Sequence, residues 1–305
     1  MNLKIITALL LASLLFFFLF FLLANKKQNL VLPIPLSSKS LIIEKSPPLE
    51  FKIKDLRNEE LSSLILETIK DKKGHFAIVV KNLKGGERFY LNPEEEFGSA
   101  SLYKLAVLVE GFRKRETGEI KFEDTLKINL DIDGNIVGKD SNNISQTLNF
   151  DIESLLTRMI SFSDNLSGQT LGEYFGWEKI VKTVAEIGLK NTKLTSPPKT
   201  TAADMVTLLE GLYRGKIISK EASDAMIKIL LKQEINNKLP AKLPKETRIA
   251  HKTGELADLN HDVGIVFAPK TDYLIIVLVK EASFLGENDL VIADISKAVY
   301  DFFNK

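Results

Sequence analysis

"FGSASLYKLAVL", residues 97–108, sets Ser101 three positions ahead of Lys104 at the head of an apolar run. Helical residues three apart stack on one face, and helical side chains lean toward the N-terminus, so Lys104 reaches back over Ser101. Free backbone N–H groups and the positive end of the helix dipole lie at that same point. A negative charge developing on a carbonyl oxygen there is stabilised. The same field, together with burial, disfavours an ammonium and lowers the lysine pKa toward a useful base. Leu102, Leu105, Ala106, Val109 and Phe112 are expected to hold the helix in the core. The pair alone decides little, because Ser196 and Lys199 share its spacing. Pro197 and Pro198 lie between those two and make that stretch extended or a turn, where the side chains do not stack.

Ahead of this helix, "DLRNEELSSLILETIKDK" (55–72) has Leu61, Ile65, Leu66 and Ile69 on one helical face. "HFAIVVKNLKGGERFYLN" (75–92) follows, with the strand–turn–strand pattern of a β-hairpin around Gly85-Gly86. Behind it, residues 112–235 are expected to be mostly helical, with apolar residues at helical spacing in "DIESLLTRMISFSDN" (151–165), "WEKIVKTVAEIGL" (177–189), "TTAADMVTLLEGLYRG" (200–215) and "SKEASDAMIKILLKQ" (219–233). Strands return in "RIAHKTGEL" (248–256), "HDVGIVFA" (261–268) and "YLIIVLVKE" (273–281), and "ENDLVIADISKAVYDFF" (287–303) is a final helix. The fold class expected from this order is α+β. A mainly antiparallel sheet is flanked by N- and C-terminal helices, with an all-helical subdomain (about 112–235) inserted in a domain spanning 55–305.

Two more triplets stand on this frame. Ser163-Asp164-Asn165 ends an amphipathic stretch and by itself reads as a helix cap. Lys252-Thr253-Gly254 lies in a β-branched run and by itself reads as an edge strand entering a turn, with Gly marking a bulge. The combination says more than its parts. Ser-x-x-Lys opening a helix, Ser-Asp-Asn in the helical section and Lys-Thr-Gly on a late strand are the set found in class A β-lactamases and penicillin-binding proteins. From about residue 55 to 305 the chain resembles the class A β-lactamase-like family of serine hydrolases.

The resemblance implies a β-lactamase/D,D-peptidase-like fold and a role for each motif residue. Ser101 would attack a lactam or amide carbonyl and become acylated, with Lys104 as its base or as the holder of the proton network. Ser163 would relay a proton to the leaving nitrogen, since a hydroxyl both donates and accepts. Asn165 would bond the substrate amide and Lys104, while Lys252 and Thr253 would hold the substrate carboxylate. The backbone N–H groups of Ser101 and of Glu255, just after Gly254, would form the oxyanion hole. Relatives mostly carry a small residue where Glu255 stands. Class A enzymes also have a long loop with a Glu that activates the deacylating water. Here "GLKNTKLTSPPKTTAADM" (188–205) runs straight into the next helix, and residues 190–204 contain no Glu. Glu173, Glu178 and Glu186 fall in helical segments and are expected at the surface. Acylation is therefore expected to be intact and deacylation slow. The alternatives are a peptidoglycan D,D-carboxypeptidase or penicillin-binding protein, and a membrane-tethered sensor of β-lactams or wall peptides that does not turn over.

Composition narrows the remaining classes. The chain has 305 residues, 41 Lys and Arg against 40 Asp and Glu, and a net charge of +1, so nothing favours nucleic acid as partner. It has no Cys, which excludes disulfides, thiolate metal sites and a catalytic thiol. His75, His251 and His261 are too scattered for paired zinc ligands, so neither metal nor cofactor is expected. A monomer is expected. "IITALLLASLLFFFLFFLLA" (5–24) is long enough to span a bilayer. No small-x-small cleavage site precedes Asn25-Lys26-Lys27, so residues 1–27 read as an uncleaved anchor rather than a signal peptide. Lys4 balances Lys26 and Lys27 across the span, which leaves the positive-inside rule indecisive. Residues 28–54, with Pro33, Pro35, Pro47 and Pro48, read as a tether. Wall peptides and β-lactams are met outside the cytoplasmic membrane, so the large domain is expected to face outward.

Overall fold

Strand β11, Asp272–Lys280, is apolar at nearly every position, which suits a strand covered on both faces. In the computed structural model, which describes residues 53–56, 59–281 and 286–305, it lies inside the main sheet. That sheet has six strands in the order β1-β3-β2-β11-β10-β9, where β1 is Ile53–Leu56, β2 His75–Asn82, β3 Arg88–Leu91, β9 Arg248–Leu256 and β10 Leu259–Phe267. Every neighbouring pair is antiparallel. Side chains alternate along a strand, so β11 divides its residues between two cores. Tyr273, Ile275, Val277 and Val279 pack with Leu61, Ile65, Val291 and Ile295 from the terminal helices α1 (Glu59–Ile69) and α8 (Glu287–Asn304). Leu274, Ile276 and Leu278 face the middle section, packing with Leu105, Val109 and Leu208.

The middle section is built around α2, Lys104–Glu116, whose sides are nearly all buried. Around it lie α3 (Ile152–Ser161), α4 (Asn165–Phe175), α5 (Trp177–Glu186), α6 (Ala202–Tyr213) and α7 (Lys220–Leu230). Local chemistry starts several of them. The side chains of Asp151, Asp164, Thr201 and Ser219 accept from the first-turn backbone N–H groups of α3, α4, α6 and α7.

The α+β architecture with its flanking terminal helices is as expected, but two expectations need correction. The inserted section is not all-helical: β5 (Thr125–Leu130), β6 (Ile136–Val137) and β7 (Gln146–Asp151) form a three-stranded antiparallel sheet. Its strands bury only Ile128 and Leu130, so the period-two signal is short and shallow. The domain also starts earlier than residue 55, because the backbone of 53–56 pairs with β3 as an edge strand, Ile53 opposite Leu91. Among the described residues no helix is long and apolar enough to cross a membrane. The anchor expected at 5–24 and most of the tether at 28–54 lie outside the described residues.

Candidate active site

Ser101 sits in a 3-10 turn, Ala100–Tyr103, that leads into α2. Residues three apart eclipse one another in such a turn. Lys104 therefore folds back as the sequence suggests, and its Nζ donates to Ser101 Oγ at 3.3 Å. Ala100 has φ +44°, in the left-handed region, which breaks the chain direction just before the serine. Gly98 and Phe97 form the two-residue strand β4, which pairs with β8, Lys199–Thr200. The Ser99 N–H donates to Pro198 O at 2.8 Å. The short "TSPPKT" segment thus closes against the serine turn through its last two residues, Lys199 and Thr200.

Lys104 is completely buried and anchored on the second motif. Its Nζ donates to Ser163 O at 2.5 Å, Asn165 Oδ1 at 2.7 Å and Ser163 Oγ at 3.4 Å. Burial lowers its pKa to about 8, against a smaller opposing pull from Asp164. The Ser-Asp-Asn triplet both caps a helix and contacts Lys104. Asp164 caps α4, accepting from Ser167 Oγ at 2.5 Å, while Ser163 and Asn165 on either side reach Lys104. Ser163 has φ +55°, a strained value for a serine that turns its hydroxyl to the lysines.

The third motif comes from β9. Lys252 Nζ donates to Ser163 Oγ at 2.9 Å and to Thr253 O at 2.7 Å. Its pKa is lowered to about 7, first by burial and then by Lys104 and Lys238, with Asp262 opposing. β9 is indeed the edge of the sheet, but Gly254 pairs in regular register with His261 and marks no bulge. Its glycine has a different cause: a Cβ there would lie 3.1 Å from Ser99 O and 3.2 Å from Leu102 Cγ. A bare backbone lets β9 approach the serine turn this closely without displacing it. Thr253 is buried, and Glu255 projects from the strand with its carboxylate on Lys238 Nζ, 2.8 Å away.

Several residues that chain order does not reveal support this arrangement. His261 Nε2–H donates to Gly98 O at 2.8 Å while Nδ1 accepts from Val279 N–H at 3.1 Å, which fixes a neutral tautomer. Full burial lowers its pKa to about 4. Gly168 is where α4 crosses α2; a Cβ would meet Lys104 Cε at 3.0 Å and Tyr103 Oη at 3.2 Å. Beside Asn165 opens a cavity of about 440 Å³ lined by Tyr103, Gln169, Trp177, Leu194, Thr195, Ser196 and Pro198. No carboxylate is among its lining residues. Glu173, Glu178 and Glu186 are exposed, as expected. Among the described residues no group of acidic or His side chains could hold a metal.

The arrangement can deprotonate a serine, stabilise an oxyanion beside the start of a helix and carry a proton through Ser163. Chains of known fold match it along most of its length. It is 22% identical over 276 residues to β-lactamase VEB-1 of Pseudomonas aeruginosa, covering 81% of this chain and 91% of that one. A β-lactamase structure from Chitinophaga pinensis superposes with TM-score 0.72 at 19% identity, over 80% of this chain and 99% of the other. The structure of PBP-A gives TM-score 0.71 at 22% identity, over 81% and 97%. The model of the β-lactamase enzyme family matches residues 58–303, and this chain belongs to that family.

Proposed function

We propose that this chain is a serine hydrolase that forms an acyl-enzyme at Ser101 with β-lactams and releases it slowly. The observation that carries the reading is Lys104, a buried amine with a pKa near 8 held 3.3 Å from Ser101 Oγ. Neutral Lys104 takes the Ser101 proton as Oγ bonds to the lactam carbonyl carbon. The oxyanion meets the backbone N–H groups of Ser101 and Glu255. As the C–N bond breaks, the Ser163 hydroxyl gives its proton to the leaving nitrogen and is resupplied by Lys104. Lys252 and Thr253 hold the substrate carboxylate, and Asn165 holds both Lys104 and the substrate amide.

Release is slow because water in the cavity beside Asn165 meets no carboxylate on the lining residues. A positioned general base contributes roughly 10²–10⁴-fold, and deacylation lacks that factor here. The same feature favours a second reading, a D,D-peptidase of the penicillin-binding kind for which β-lactams are inhibitors. A mutant of the similar protein PBP-A is described as an acyl-enzyme complex with penicillin G. In either case the large domain acts outside the cytoplasmic membrane, tethered through residues 5–24.

The test is to incubate the full chain with a fluorescent penicillin and follow the adduct by intact mass. One label at Ser101, absent in Ser101→Ala and persisting for hours, is the expected outcome. Loss within seconds makes the chain an efficient β-lactamase instead. Absence of label at Ser101 removes both enzymatic readings and leaves the sensor.

A further inference from the structure

Lys238 has no exposed side-chain surface, yet the acid it bonds most closely, Glu255, is 63% exposed. A second acid, Asp289, stands 3.6 Å from the same Nζ. The two carboxylates are not equivalent. Asp289 is fixed by Asn260 Nδ2 at 2.7 Å and by Asn237 Nδ2. Glu255 projects into solvent beyond its bond to Lys238 and is the member free to swing out.

Strand periodicity places this pair with respect to substrate. Thr253 and Glu255 are two residues apart on β9, so their side chains share one face about 7 Å apart. Opposite them on β10 stand Asp262 and Asn260, in register with Thr253 and Glu255 respectively. Lys238 is close enough to Lys252 to help lower its pKa. A substrate carboxylate held by Lys252 and Thr253 therefore arrives beside the Glu255 carboxylate and within the field of Lys238. Two neighbouring carboxylates repel, and without Glu255 the buried Lys238 keeps only the longer pair with Asp289, 3.6 Å away, unless another anion approaches it. One anion must replace the other.

We propose that Glu255 is an internal stand-in for the substrate carboxylate: it neutralises Lys238 in the free protein and must leave for an anionic substrate to dock. Glu255 is then a specificity-determining residue that slows acylation by acids and spares neutral esters. This rests on Ser101 being the acylated residue.

The test compares second-order acylation rate constants for benzylpenicillin and its methyl ester, in the full chain and in Glu255→Gln. Glu255 is exposed, and the isosteric amide leaves the strand intact. For benzylpenicillin the variant is expected to gain on the order of tenfold, the scale of one like charge at this distance after solvent screening. The ester has no carboxylate for Glu255 to repel, so the acid-to-ester ratio of rate constants is expected to rise by on the order of tenfold. An unchanged or slower reaction with the acid, or an equal gain with the ester, overturns the proposal. If neither compound acylates the chain, the functional reading falls. The same comparison is then made as equilibrium binding to Ser101→Ala by ligand-detected NMR, with and without Glu255→Gln, where preferential gain by the acid supports the stand-in and its absence overturns it.

Discussion

Lys104 and Lys252 both donate to the Ser163 hydroxyl, at 3.4 and 2.9 Å, and burial holds their pKa values near 8 and 7. In the acylating form one amine is neutral to take the Ser101 proton and the other is charged to hold the substrate. On the proposed mechanism the activity is carried by the singly protonated pair with its proton on Lys252, the less populated of the two arrangements because Lys252 has the lower pKa. Acylation is expected to quicken as pH rises through 7, when the pair loses its first proton, and to slow above 8, when it loses the second. Stopped-flow labelling from about pH 6 to pH 9 checks this; a flat profile removes Lys104 as the base. These residues were legible because their spacing and chemistry are local to three short motifs. His261 and Lys238 were not. One acts on Gly98 and the other on Glu255 through contacts that no sequence spacing announces.

Helix α4 owes its place to a residue with no side chain. Gly168 lets α4 lie against the Lys104 stem, and a Cβ there would push on Cε at 3.0 Å and on Tyr103 Oη at 3.2 Å. Gly168→Ala is expected to keep the fold, since alanine favours helix by ~1 kcal/mol over glycine, while displacing Nζ from Ser101. Acylation is expected to fall roughly a hundredfold, the scale for about 1 Å of misplacement. Circular dichroism together with penicillin labelling checks both halves; an undiminished rate shows that Lys104 tolerates the crowding. The small sheet β5-β6-β7 was missed for an elementary reason. "TLKINL" buries two residues and leaves the others partly or fully exposed, so its alternation is too weak to outweigh the helical stretches around it. By contrast α3 concentrates Ile152, Leu155, Leu156, Met159 and Ile160 on its buried face and was legible at once.

At the scale of the molecule, the sheet joins two cores, and β11 serves both. Ile276 is fully buried on the side of the middle section and Ile275 on the side of the terminal helices. Ile276→Ala is expected to cost ~2–5 kcal/mol, the transfer of the lost methyl groups plus the cavity left behind. Urea unfolding measures it, and a cost below about 1 kcal/mol would mean that the helical side repacks freely. The sheet could be read from β-branched runs, but its order could not. One neighbour of β2 is β11, about two hundred residues further along, and nothing in either strand names the other.

That pairing also sets a timetable for synthesis. When Ser101 leaves the ribosome, β2 has only β3 beside it, and its other edge waits for β11, about two hundred residues later. Lys252, which must reach Ser163 across 89 positions, is equally late. Such long-range closure is slow and leaves apolar edges open in the meantime. If Ser101 is acylated as proposed, a growing chain is expected to stay unreactive toward penicillin until β9 and β11 have emerged, and its first adduct marks the moment at which the sheet has closed.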